Sequence, residues 1–237
     1  MSNVALIDGD IVAYRCAATC KGDDPSEIAC IRADSLIRQI LETLGCPDYW
    51  LFLSGQTNFR HAIYPDYKAN RRDVVRPKWL QHTREYLCVE WQADVTDGIE
   101  ADDAIGIKHT ELTSVNFNSI ICSLDKDFKQ FPGEHYNFVT GELFKVSKVD
   151  ALRFFYKQLV LGDKGDNIPG FDGVFRQNPT KYIQTVYDEI ELAISEEMMY
   201  TIVRDCYKTS DLVRNARCLY IQHKVGEEWS IPNTSQS

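Results

Sequence analysis

The sequence predicts an α/β fold, a mainly parallel central sheet layered with helices and followed by an all-helical region. Three observations carry that prediction. Short aliphatic or aromatic runs, Val4–Ile7, Tyr49–Leu53 and Asn118–Leu124, each stop at an acid or a small polar residue. Stretches of helical periodicity follow them, and strands that alternate with helices pair in parallel. Beyond Lys148 the remaining periodic segments are helical. With 237 residues, 44% of them hydrophobic, the chain can bury a full core. We divide it into an α/β domain over 1–147, a helical region over 148–225 and a polar tail over 226–237 that should fray.

In chain order, Val4-Ala5-Leu6-Ile7 reads as a buried strand ending at the Asp8-Gly9 turn. A helix over about 11–20 and a turn at Gly22-Asp23-Asp24-Pro25 follow. Ser26 is placed to cap the next helix, whose apolar positions from Ile28 to Leu44 share one face, and Gly45 with Pro47 closes it. The second strand, Tyr49–Leu53, ends at Ser54-Gly55. After a basic segment come a helix over Lys78–Leu87, a strand over Val89–Ala93 and an acidic helix from Ala101 to about Leu112. The strand Asn118–Leu124 delivers Asp125, and strand-like pieces near Tyr136–Val139 and Leu143–Val146 lead to a helix over Lys148–Leu161. A glycine-rich turn, Gly162–Gly170, precedes helices over about 180–194, 196–208 and 211–220. Parallel sheets bind ligands beyond the carboxyl ends of their strands, where Asp8, Ser54, Glu100 and Asp125 all fall.

The acids are the informative feature. Glu100, Asp102 and Asp103 place three carboxylates within four residues, with no Lys or Arg from Gln92 to Ile107. Two like charges about 5 Å apart repel by roughly 3 kcal/mol at an effective dielectric of about 20. An acidic helix start by itself suits the macrodipole. Repetition changes the reading: Asp8-Gly9-Asp10, Asp125-Lys126-Asp127 and Asp163-Lys164-Gly165-Asp166 are close-spaced acids of the same kind. Oxygen-only donor sets suit hard cations, Mg²⁺ or Mn²⁺, rather than zinc.

The net charge of −9 hides an uneven distribution. Arg60 to Arg84 holds seven Lys or Arg against two acids, Asp66 and Asp73. A local basic band can grip a polyanion on an acidic protein. Tyr64 and Tyr67 stand among its cations, and aromatics interleaved with cations suit single-stranded nucleic acid. The eight cysteines include no C-x-x-C pair, so reduced thiols in a cytosol are expected. No stretch approaches about 18 uninterrupted apolar residues, which argues against a membrane span.

Five motifs stand in order: Asp8-Gly9-Asp10 with Arg15, Tyr67-Lys68-Ala69-Asn70-Arg71, Glu100-Ala101-Asp102-Asp103, Ser123-Leu124-Asp125-Lys126-Asp127, and Gly162-Asp163 through Gly170. Together they resemble the metal-dependent 5′-nucleases, the family of flap endonucleases and bacteriophage 5′→3′ exonucleases. The resemblance implies a PIN-like α/β nuclease domain, with an arch or clamp near 59–78, joined to a helix-three-turn-helix element that grips duplex DNA. It implies Asp8, Glu100, Asp102, Asp103, Asp125, Asp127, Asp163 and Asp166 as direct or water-mediated ligands of two Mg²⁺ ions, with Mn²⁺ able to substitute. Lys68 and Arg71 then contact the scissile phosphate and, with Asp8, form the catalytic set. Arg15, Tyr67, Arg72, Gly170, Gly173, Arg176 and Lys181 join Lys68 and Arg71 as DNA contacts, Tyr67 by stacking on a base.

The implied activity is 5′→3′ exonuclease and 5′ flap endonuclease cleavage of DNA to 5′-phosphate products, extending to RNA in RNA–DNA hybrids. A monomer in the cytoplasm, the host's if phage-encoded, acting in DNA replication, primer removal or recombination is expected. Two positions depart from the family pattern. Ser54 stands where many relatives carry an Asp, and Phe175 stands where a glycine is expected in the duplex-binding hairpin. Rival readings are a non-catalytic binder of 5′-ended or branched DNA, a haloacid-dehalogenase-type phosphatase with Asp8 as nucleophile and Asp10 as general acid, and a PIN-domain ribonuclease. The five histidines show no ligand spacing and read as structural or exposed.

Overall fold

The computed structural model describes residues 3–207 and 211–232. Six strands form one sheet in the order β3-β2-β1-β4-β5-β6, comprising β1 (Asn3–Asp8), β2 (Asp48–Leu53), β3 (Asp94–Val95), β4 (Asn118–Cys122), β5 (Gly133–Asn137) and β6 (Glu142–Val146). All neighbours are parallel except β5 and β6. The α/β fold predicted from the sequence is the fold observed, a mostly parallel six-stranded sheet.

Side-chain alternation along β1 builds two cores. Ala5 and Ile7 face helices α1 (Gly9–Ala18), α2 (Ser26–Leu44) and, after the one-turn α3 (Arg60–Ile63), α4 (Leu80–Glu90), packing with Val12, Ile37 and Leu87. Val4 and Leu6 face the opposite layer, where Ala101 and Ile105 of α5 (Ala101–Ser114) meet Phe128 and Phe131. Each residue of a strand points away from its neighbour's face, so one strand serves both layers. A third core joins α6 (Lys148–Leu161), α7 (Lys181–Leu192), α8 (Glu196–Cys206) and α9 (Asp211–Leu219) around Tyr156, Leu159, Ile183 and Met199.

Several element bounds differ from the sequence reading, each for a local reason. The first helix starts at Gly9 because the Asp8 carboxylate caps it, accepting from the Ile11 N–H at 3.1 Å. Pro25, not Ser26, occupies the cap of α2; its φ of −68° suits that place, and Ser26 is already helical. The expected strand Val89–Ala93 is a correction: α4 runs on to Glu90, leaving Val89 75% exposed, and the strand is only Asp94–Val95. Helical periodicity from Leu80 through Leu87 continues one turn further than its apolar residues indicate. The helix expected to end at Lys208 ends at Cys206, and Lys208 lies outside the described residues. In the tail, residues 233–237 are likewise outside, but Trp229 is buried against Phe155 and Tyr200, so residues near it do not fray. No helix among the described residues is long and apolar enough to cross a membrane.

His135 on β5 makes acid sensitivity measurable. It is buried, stacks on Phe144 and donates from Nε2 to the Phe131 carbonyl at 2.9 Å. Burial pulls its pKa down to about 4, whereas an unfolded histidine titrates near 6.5. Its contribution to stability is therefore whole above pH ~6.5 and lost as pH falls toward ~4. Between pH 7 and pH 5 that is about 2 kcal/mol. Urea melts of wild type and His135→Asn should show the gap between them narrowing by that amount at pH 5.

Candidate active site

The acids collect at the carboxyl edge of the parallel strands because each lies just past a strand or at a helix end. Asp8 ends β1, Asp125 follows β4, Glu100 precedes α5, and Asp163 follows α6 through Gly162. Gly162 is required there: its φ is +80°, and a Cβ would stand 2.5 Å from the backbone of Ile168, Pro169 and Gly170. Asp163 and Ile168 then pair across the tight turn.

One part of the rim is repulsive. Asp8 is buried, accepting from Ile11 N–H and, at 2.8 Å, from the Ser123 hydroxyl. Burial raises its pKa to about 7 despite those bonds, and Asp10 and Asp125 add to the rise. Asp102 is pushed well up by burial and then by Asp8, Asp125 and Glu100. Burial and Asp125 lift Asp127 to about 8, with Lys126 pulling the other way. Carboxylates that raise one another are uncompensated negative charge.

The other part is neutralised. Lys68 sits between Glu100 and Asp166, 3.7 Å from the latter, and Arg71 meets Asp166 at 2.5 Å. Burial works to raise Glu100, but Lys68 and Arg60 override it and hold the carboxylate below its ordinary value. Asp166 remains raised by burial even with both cations beside it. Lys126 bonds Asp163 at 2.9 Å and overcomes the effect of burial there. The basic segment thus docks onto the Asp163–Gly170 turn, where Lys68 N–H donates to the Asp166 carbonyl and Asn70 to the Lys164 carbonyl.

Two of the expected site residues are engaged within the protein itself. Asp103 faces no shared opening: it is fully buried, bound by both Arg60 guanidinium nitrogens at 2.6 and 2.8 Å, and accepts from Glu100 N–H and Gln222 N–H. Its charge is matched by Arg60 in this structure. Tyr67 cannot stack on a base as placed, because its ring is 2% exposed and its hydroxyl lies 2.8 Å from Glu100 and 2.9 Å from Asp166.

The expected DNA contacts are dispersed. Arg176 reaches a cleft of about 360 Å³ that also holds Lys126, Asp163 and Lys164, and pairs there with Asp172 at 2.6 Å. Arg72 is exposed beside the Pro65 carbonyl. Gly170 and Gly173 shape the turn before α7, where Gly170 donates to the Val174 carbonyl and Gly173 to the Gly170 carbonyl. Phe175, 44% exposed, stands just beyond. Arg15 and Lys181 are exposed on α1 and α7, with no ion pair to the acids among the described residues.

Sequence reasoning missed Arg60 and Arg84 as individuals, because both were only members of a basic count. Arg84 ion-pairs with Asp10 and donates to the Ser54 carbonyl, while the Ser54 N–H bonds Asp10 at 3.0 Å. The Ser54 hydroxyl accepts from Ala101 N–H at 2.9 Å, so the residue that departs from the family pattern holds the first turn of α5. No local signal distinguishes these cations from solvated ones.

Among the described residues, no three His, Cys, Asp or Glu groups close around one point. The donor chemistry nevertheless fits a hard divalent cation. Asp8, Asp102 and Asp125 supply only oxygens, and their mutual repulsion is what such an ion relieves.

Comparison with known proteins agrees. Flap endonuclease Xni of Shewanella halifaxensis is 30% identical over 128 residues, 49% of this chain and 51% of that protein. The chain therefore spans about half the length of that relative. Flap endonuclease Xni of Shewanella sp. (strain W3-18-1) is 24% identical over 197 residues, covering 78% and 75%. Among solved structures, the T5 D15 protein co-crystallised with metal ions superposes with a TM-score of 0.59 at 18% identity, over 92% of this chain and 93% of that one. The catalytic core of Rad2 in complex with DNA substrate gives 0.53 at 13% identity, over 98% and 84%. At those identities the structures speak to fold alone. The family model of the 5′-3′ exonuclease N-terminal resolvase-like domain matches residues 3–158, and this chain belongs to that 5′-3′ exonuclease family.

Proposed function

We propose that the chain hydrolyses DNA phosphodiesters at 5′ ends and 5′ flaps, releasing 5′-phosphates, with two divalent ions, Mg²⁺ or Mn²⁺, at the acid rim. The observation that supports this most is the division of the rim: Asp8, Asp102 and Asp127, each raised by burial and by Asp125, stand beside acids already paired with Lys68, Arg71 and Lys126. When bound, the ions supply a nucleophilic water and stabilise the leaving oxygen. Asp8, Asp102, Asp125 and Asp127 would hold them, with Glu100, Asp163 and Asp166 as further candidate ligands. Lys68 and Arg71, released from Glu100 and Asp166, would bind the scissile phosphate where charge accumulates. Arg15, Arg72, Gly170, Gly173, Arg176 and Lys181 are proposed as contacts along the DNA backbone.

The reading includes activity on RNA of RNA–DNA hybrids, a monomeric state, a role in replication or primer removal, and a reducing cytoplasm. It also treats 1–147 as the nuclease domain and 148–225 as the duplex-binding region. A phosphatase with Asp8 as nucleophile has less support, because Asp10, the general acid in that scheme, is ion-paired with Arg84.

Digestion of 5′-labelled duplex, flap, nicked and hybrid substrates should give short 5′-phosphorylated products with Mg²⁺ or Mn²⁺ and none with chelator. Binding without cleavage under either ion would refute the proposal. A second expected result needs no substrate. Mg²⁺ at about a hundred times its dissociation constant stabilises by about 2.7 kcal/mol, which for a chain of this size is a Tm rise of roughly 5–10 °C. Thermal melts with and without Mg²⁺ check it, using Ca²⁺-free buffer and a matched ionic strength.

A further inference from the structure

A cleft of about 280 Å³ lies between the end of α1 and the segment leading into α4, lined by Tyr14, Lys21, Arg76, Lys78 and Trp79 among others. Its walls are fixed to each other. Lys78 Nζ lies 3.4 Å from the Gly22 carbonyl and 4.4 Å from the Trp79 ring centre, and the Trp79 indole donates to the Asp24 carbonyl at 2.9 Å. Lys21 and Arg76 are exposed and form no ion pair among the described residues. Of the two acids on the turn, Asp23 is exposed and Asp24 directs its carboxylate to the Lys21 backbone N–H at 2.9 Å. Tyr14 is 48% exposed on the same side.

The cleft connects to the acid rim along one helix. α1 begins beside Asp8 and Asp10 and spans ten residues, about 15 Å at 1.5 Å per residue. That is the length of roughly four stacked nucleotides at 3.4 Å each. A space of this volume takes a nucleotide, not a duplex. Aromatic walls can stack only a base that is unpaired, and free cations suit phosphates.

We propose that this cleft is a subsite for a single-stranded stretch of the substrate, with phosphates on Lys21 and Arg76 and a base against Tyr14 and Trp79. The proposal rests on the nuclease reading above. It adds a structural basis for preferring tailed over blunt substrates, on a surface outside the acid rim and outside the turn after α6.

The test is fluorescence anisotropy of the whole chain, in chelator, with a blunt DNA hairpin and the same hairpin carrying a ten-thymidine tail on either the 5′ or the 3′ end. Wild type should bind one tailed form more tightly than the blunt one. Lys21→Glu/Arg76→Glu should lose roughly tenfold or more on that tailed form and under twofold on the blunt form. Its slope of log affinity against log salt should fall by about 1.4, as two phosphate contacts worth about 0.7 each disappear. Tyr14→Ala should lose roughly fivefold on the tail, while Tyr14→Phe and the surface control Lys145→Glu should lose nothing. Melting curves matching wild type establish that each variant is folded. Equal losses on blunt and tailed forms, or no loss on either, would overturn the subsite. A wild type that binds no hairpin in chelator and releases no product with Mg²⁺ would instead overturn the nuclease reading. Wild-type binding and cleavage with the tail preference intact in the double variant would remove the subsite alone.

Discussion

Arg60→Ala should lower the unfolding free energy by about 3–5 kcal/mol, the cost of stripping one partner from a buried ion pair. Arg60 is 2% exposed and Asp103 is fully buried. Besides its two bonds to Asp103, the guanidinium donates to the carbonyls of Cys218 at 2.9 Å and Tyr220 at 2.7 Å. Burial works against its charge, yet Asp103, Tyr67 and Glu100 hold it protonated beyond the ordinary arginine value. Truncation therefore leaves a lone buried carboxylate and removes a donor from two carbonyls. On a chain of this size the loss is a Tm drop of roughly 6–20 °C. Urea melts of Arg60→Ala, Asp103→Ala and the double variant measure the coupling; the double loss should fall well short of the sum. A single-variant loss under about 1 kcal/mol would show that the pair is not structural.

Asp102→Asn should reduce Mg²⁺-dependent cleavage by more than about a hundredfold, beyond the 10–100-fold typical of changes to groups that merely support a ligand. In chelator at pH 8 the same variant should be more stable than wild type, by about 1 kcal/mol or more. The sign follows from its environment. Burial, then Asp8, Asp125 and Glu100, raise the Asp102 pKa in the folded protein. A carboxyl raised on folding loses stability as pH rises through its folded pKa, so neutral Asn removes a penalty that wild type carries. Opposite signs in the two measurements separate a ligand from a packing residue. Destabilisation in chelator would mean that Asp102 is held by a partner, as Asp103 is.

Legibility in the sequence followed the range of the interactions. Strand runs and the acids at their ends are local, so β1, β2 and β4 and the convergence of Asp8, Glu100, Asp125 and Asp163 could be read directly. The helix Lys148–Leu161 matched residue for residue because Ser147 caps it and Gly162 ends it. What could not be read depends on partners far along the chain. Asp102 and Asp103 are adjacent and alike in sequence, yet one faces other acids and the other faces Arg60. Tyr67 looked available for stacking until the Asp166 turn closed over it. Val89 satisfied a strand pattern that Leu87, buried in the helical register, contradicts.

The Arg60 clamp also bears on when the fold can be completed. It joins residue 60 to carbonyls 158 and 160 positions later, while Gln130 binds Leu219 and Ile221 in the same stretch. Contacts of such separation form late in folding. During synthesis the clamp cannot close on its carbonyls until residues 218–222 have left the ribosome.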